Sequence, residues 1–320
     1  MQQEVPEGFE GRHCLALMEG KINPDTGEEL TNVSINHRIS DADFEKYQFC
    51  FRDIRFYSEC VNLYYSVQLN MEDLLRSILG IGKNYLDSGS INSHDARMIP
   101  LSISRLTLNL TSMFRSFLDH GDAALTRRYG PNSDELKSWK AKQSEVYDAS
   151  RAYRFMSNLR NYCQHVGMPP LHYSIGSESG VDGVQIVLKY KSVELLDSYG
   201  RWQSLVKNDL TTGPEELHLF PYLQDWSVCF HRLTAWLLDF RRSAVLDSAA
   251  LIIDMRSKYG IGDLGVIAIV DEPQAGDVLS LKMQHIPEAI AQEVIGRVPI
   301  IDLSESLELD EDSFHRSPSC

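Results

Sequence analysis

The alternation of apolar and polar positions divides the chain into long helical stretches separated by a few short strands. From Ser40 onward, Phe44, Tyr47, Phe51, Ile54, Val61, Tyr64, Val67, Met71, Leu74 and Ile78 recur at helical spacing. That period marks an amphipathic helix, and Ser40 with Asp43 three residues on is a capping-box pattern at its start. No Gly or Pro interrupts 41–79, so one long helix, or two joined near Asn70, is predicted. Gly80 and Gly82 are expected to end it, with a polar loop to Pro100. A second helix is read from Ile103, Leu106, Leu110, Met113, Phe114, Phe117 and Leu118, weakening at Gly121 and stopping at Gly130-Pro131. A third long helix, capped by Asn132 or Ser133, carries Leu136, Trp139, Val146, Tyr153, Met156, Leu159 and Cys163 and is terminated by Gly167-Met168-Pro169-Pro170.

The period changes over 171–190, where two short β-rich runs flank GSESGVDG and predict a β-hairpin. Helical pattern resumes at 193–208 and again at 222–258. Beyond Gly260 the chain reads as α+β, with GVIAIV and VLSLKM as strands and a helix from Pro287 through Ile295. Residues 1–40 are expected to form a short hairpin or arm around turn chemistry at Asn23-Pro24-Asp25-Thr26-Gly27. The predicted class is mainly α: a helical bundle over 41–260 with a β-hairpin insertion near 171–190, then a small α+β segment, 261–320, ending in an acidic tail.

Composition narrows the function. The chain has 320 residues, 43% of them hydrophobic and 24% charged, which excludes wholesale disorder. A formal net charge of −14 argues against a general DNA-coating role, since phosphate affinity comes mainly from Lys and Arg. It leaves room for a small basic site. The six cysteines, at 14, 50, 60, 163, 229 and 320, include no Cys-x-x-Cys pair, so no structural metal is expected and no cofactor is implied. The polar start carries no signal-peptide pattern and no run is long enough for a membrane span, so a soluble cytoplasmic protein with reduced thiols is expected.

Two glycine patterns resemble nucleotide loops. Gly260-Ile261-Gly262-Asp263-Leu264-Gly265 matches the dinucleotide fingerprint, but a helix enters and a strand leaves, the reverse of what that site needs. Gly260 is therefore read as a helix C-cap. Gly80-Ile81-Gly82-Lys83 lacks the first Gly and the Ser or Thr of a P-loop, Ser77 and Asn84 standing there. Zinc-protease and serine-hydrolase patterns are absent from the sequence.

The remaining chemistry lies in Leu159-Arg160-Asn161-Tyr162-Cys163-Gln164-His165. Arg offers a planar fork of donors to a phosphate, and His moves protons near neutral pH. Five residues advance a helix by about 140° and about 7.5 Å, so the two side chains converge only if the helix frays at His165, which the Gly167 stop leads one to expect, or a second chain completes the site. Asn161 and His165 share a face and could hydrogen-bond. Spacing alone decides nothing, because Arg115, Asp119 and His120 repeat it on the preceding helix as an alternative pair. Structural readings stand beside the catalytic one: Arg160 in an ion pair, His165 as a favourable helix-end charge, Arg115–Asp119 as a surface pair. Segment 127–160 holds eight Lys or Arg against four acids, which makes Arg127, Arg128, Arg151 and Arg154 candidate RNA contacts. The aromatic-rich first helix suggests burial on two sides, as in a bundle that dimerises.

The stretch LRNYCQHVGMP, with FRSFLDHGDAAL before it, resembles the HEPN superfamily (higher eukaryote and prokaryote nucleotide-binding domains) over 41–258. The resemblance implies a dimeric helical bundle acting as a metal-independent endoribonuclease, often a toxin or antiviral effector. By it, Arg160 would stabilise the scissile phosphate, His165 would be general acid/base, Asn161 would orient one of them, and the RNA 2′-hydroxyl would be the nucleophile. It implies RNA, a second copy and an antitoxin or defence protein as partners. The Tyr modified in toxin members two residues after the His is replaced by Gly167, so that route of regulation is not expected. Degenerate members are silent interaction scaffolds that bind a protein or nucleotide, and this is the second reading.

Overall fold

The computed structural model describes residues 13–22, 29–176, 183–271 and 283–297. Its elements begin with β1 (His13–Ile22), β2 (Glu29–Ile39), α1 (Asp41–Ser88), α2 (Ser93–Tyr129), α3 (Asp134–Ala149) and α4 (Arg151–His165). There follow β3 (His172–Gly176), β4 (Gln185–Lys191), α5 (Ser192–Ser198), α6 (Ser204–Thr212), β5 (Glu216–His218) and α7 (Leu219–Ser243). The last are α8 (Leu246–Tyr259), β6 (Val266–Asp271), β7 (Met283–His285) and α9 (Glu288–Gly296). The chain is mainly α, with two small antiparallel sheets among the described residues.

The described residues fall in two compact units. One comprises residues up to Glu59 and from Asp239 on; the other is Cys60–Leu238. In the first, the sheet runs β2-β1-β6-β7. Cys14 lies opposite Val270 and Ala16 opposite Ala268, all buried, so strands far apart in sequence share one apolar face. The turn expected at 23–27, the tail from 302 and most of VLSLKM lie outside the described residues. At the head of α1 the Ser40 hydroxyl accepts from the Asp43 amide at 3.1 Å and donates to its carboxylate, as the capping pattern predicts.

In the second unit several predicted boundaries move. α1 runs on past Gly80 and Gly82 to Ser88, because packing outweighs the cost of about 1 kcal/mol per helical Gly. A side chain at position 82 would meet Ile186 of β4 at 3.2 Å. The expected loop before Pro100 is instead the first two turns of α2, capped by Asn92. Pro100 cannot donate to the Ala96 carbonyl four residues back, and the Tyr173 hydroxyl supplies that bond at 2.9 Å. The third helix is two. At Ser150 the backbone turns extended (φ −125°, ψ 121°), and its hydroxyl caps α4 by accepting from the Tyr153 amide. Arg154 closes the end of α3, donating to the Tyr147 and Asp148 carbonyls at 2.9 and 2.7 Å. The long pattern at 222–258 also divides, into α7 and α8. The predicted hairpin forms from β3 and β4, and β5 adds a third strand. The core is aromatic: Phe114 meets Trp226 and Phe230 edge-on at 5.2 and 5.8 Å, and Phe117 meets Phe230 at 5.5 Å.

Candidate functional site

Breaking the third helix at Ser150 gives α2 two separate neighbours, α3 and α4. A cleft of about 620 Å³ lies among them, lined by Arg115 and Asp119 of α2, Gln143 and Tyr147 of α3, and Ser157, Asn158, Arg160 and Asn161 of α4, with Gln203 beside α6. It is polar over a buried aromatic wall that includes Phe114 and Tyr153. The Tyr147 hydroxyl donates to Gln203 and accepts from Asn158, which holds the α3 wall to α4. Burial raises the hydroxyl pKa of both Tyr147 and Tyr153, so each is a neutral phenol at physiological pH and neither serves as a base.

The cations of this region have different fates. Arg115 is spent on Asp119, 2.7 Å away one turn along α2, the surface pair that its spacing allows. Arg154, only 8% exposed, pairs with Asp209 through two contacts of 2.7 and 3.2 Å while closing α3. That role corrects its reading as an RNA contact: all its donating nitrogens face the fold. Arg151 is exposed and lies 3.5 Å from the same Asp209. Arg127 is exposed, and Arg128 lies over the Tyr129 ring at 5.6 Å. Neither lines the cleft.

Arg160 is the exception. It is half-buried in the cleft wall, it makes no ion pair or hydrogen bond among the described residues, and its Nε is buried without an acceptor. A buried donor left unmade costs about 1–3 kcal/mol. Asn161 lines the cleft beside it and is likewise uncommitted among the described residues.

His165 is not in the cleft. α4 stays helical through it, with the Val166 amide bonded to the Tyr162 carbonyl at 2.9 Å, so the expected fraying does not occur. The imidazole is exposed, 6.3 Å from the Tyr199 ring and within 11° of parallel to it, and makes no bond to Asn161. His120 also lies outside the cleft lining. Burial pushes the Cys163 thiol up to about 11, so it is protonated and no nucleophile at neutral pH.

Gln143, Tyr147 and Gln203 left no direct sign in the sequence. One signal was available: Asn158, a polar residue on the apolar stripe of α4, is 4% exposed and completes the cleft floor. The fingerprint glycines, in the other unit, have structural roles. Gly260 caps α8 in the left-handed region (φ +61°), as read from the sequence. Arg256 bonds the Gly262 and Gly265 carbonyls and pairs with Glu288 of α9 at 2.6 Å. No group of His, Cys, Asp and Glu able to hold a metal occurs among the described residues, and no helix there is long and apolar enough to cross a membrane. Neither protein-family models, curated proteins nor solved structures give a match to this chain.

Proposed function

We propose that the helical unit binds RNA through the Arg160 cleft and acts as a metal-independent endoribonuclease of HEPN type, with His165 brought to the phosphate from a second copy of the chain. The observation that carries this is the uncommitted guanidinium in a polar cleft. A phosphate in the cleft offers acceptors to the guanidinium's terminal nitrogens, whose fork matches it bidentately, while the Nε stays sealed from solvent. Asn161, on the same wall, adds a neutral donor.

In this reading the 2′-hydroxyl loses its proton to a base and attacks the adjacent phosphorus. The bond to the 5′-oxygen breaks, leaving a 2′,3′-cyclic phosphate and a 5′-hydroxyl that takes up a proton. Arg160 stabilises the charge gathering on the non-bridging oxygens and His165 moves the protons. Within one copy the imidazole stands about 140° around the helix from Arg160, which is why a second copy is invoked.

The same placement favours a second reading, in which the cleft binds a phosphate-bearing ligand without cleaving it. Incubating single-stranded RNA with the full chain in EDTA separates the two. Cyclic-phosphate ends that vanish in both Arg160→Met and His165→Ala support the ribonuclease. Binding that depends on Arg160, with no cleavage in any variant, selects the silent module.

A further inference from the structure

On the part of α1 that lies in the second unit, Tyr65, Leu69, Glu72, Arg76, Leu79 and Lys83 are all exposed, at strictly alternating steps of four and three residues. Those are the a and d steps of a coiled-coil seam. Leu69 is 60% exposed, Leu79 50% and Tyr65 42%. Single exposed apolar side chains are ordinary, but here three stand in register along about 21 Å of one helix face.

The order of residues along this face shows what covers it. Reversed about Leu74, the stripe is complementary to itself: Glu72 falls opposite Arg76, Leu69 opposite Leu79, and Tyr65 opposite Lys83. Each pairing sets an a position against a d position, as antiparallel helices pack, and each occurs twice about a twofold axis. The pairings are a salt bridge, an apolar contact and a cation on an aromatic ring. A parallel pairing in register would set Glu72 on Glu72, Arg76 on Arg76 and Lys83 on Lys83. Arg76 is free to reach across, its side chain being 75% exposed with only long contacts, 3.8 and 3.6 Å, to Glu72 and Asp73 of its own helix.

We infer that this face of α1 is a homodimer interface, occupied by the same face of a second copy running antiparallel. The inference does not depend on what the cleft binds: loss of RNA binding with an intact dimer would remove that reading alone.

Sedimentation velocity of the full chain at micromolar concentration, with paired charge variants, tests it. Glu72→Arg places two arginines opposite each other at both ends of the central layer, and Arg76→Glu places two glutamates. Each alone should weaken the dimer at least about tenfold, because like charges juxtaposed in an interface are strongly unfavourable. An equimolar mixture of the two variants should restore a dimer, and so should the double swap Glu72→Arg with Arg76→Glu. Restoration on mixing also shows that both variants are folded. A monomeric wild type, single variants that dimerise as well as wild type, or a mixture that stays monomeric would each overturn the inference.

Discussion

Arg154 and Arg160 stand on the same helix, and the structure assigns them opposite effects on stability. Arg154→Ala removes a bidentate pair at 2.7 and 3.2 Å, leaves the Asp209 carboxylate, at 15% side-chain exposure, with only the looser Arg151 contact at 3.5 Å, and takes the donors from two carbonyls closing α3. Breaking one side of a buried pair costs about 3–5 kcal/mol. At about 2–4 °C per kcal/mol for a unit of this size, the melting midpoint should fall by roughly 6–20 °C. Arg160→Met does the reverse. It removes a buried donor without an acceptor, whose cost is about 1–3 kcal/mol, and keeps an unbranched stem in the cleft wall. The midpoint should hold or rise by a few degrees. Thermal unfolding followed by circular dichroism on the two variants and wild type reads both effects. If Arg160→Met lowers the midpoint as far as Arg154→Ala, the Arg160 guanidinium serves the fold and the cleft reading fails.

Three further outcomes are expected. Asp43 is held below the usual carboxylate range, chiefly by the Lys258 ammonium at 2.7 Å, with Ser40 and Tyr259 adding bonds. A depressed folded value gives stability that is full above the unfolded value, near 4, and lost as pH falls through the folded one. Melting midpoints measured below about pH 4 should therefore fall more steeply for wild type than for Asp43→Asn, and parallel curves would contradict it. Gly265 has φ +83°, and a Cβ there would sit 2.6 Å from the Met18 carbonyl oxygen, whereas one at Gly262 meets nothing within 4 Å. Urea unfolding should show Gly265→Ala costing at least about 1–3 kcal/mol and Gly262→Ala almost nothing; equal costs would refute the close approach. Because His165 is exposed, His165→Ala should leave the midpoint unchanged while cutting RNA cleavage by about 10²–10⁴, and retained cleavage would remove its assigned role.

The helical class, the cap at Ser40, the hairpin at β3–β4 and the Gly260 stop were legible because each is written in adjacent residues. What was not legible depends on distant ones. The break at Ser150 has no Gly or Pro to announce it, and the apolar stripe continues through it because α3 and α4 both pack on α2. The junction is held by Arg154, whose partner Asp209 lies on another helix. The pairing of β1 with β6 joins segments with most of the chain between them, beyond any local periodicity. The site was legible in part. Arg160 and Asn161 stood out as polar residues near a helix end. The spacing also warned that His165 would face elsewhere on an intact helix, and the helix is intact.

The central claim is that Arg160 waits for a phosphate. The most direct measurement is the affinity of a fluorescently labelled single-stranded RNA for wild type and Arg160→Met, in EDTA, across a salt series. One charge-assisted contact is worth about 1.5–3 kcal/mol, so the account predicts that Arg160→Met binds about 10–100-fold more weakly with its melting midpoint intact. It also predicts a shallower dependence on salt, one phosphate contact having been lost. Equal affinity and equal salt slope in the two proteins would contradict it.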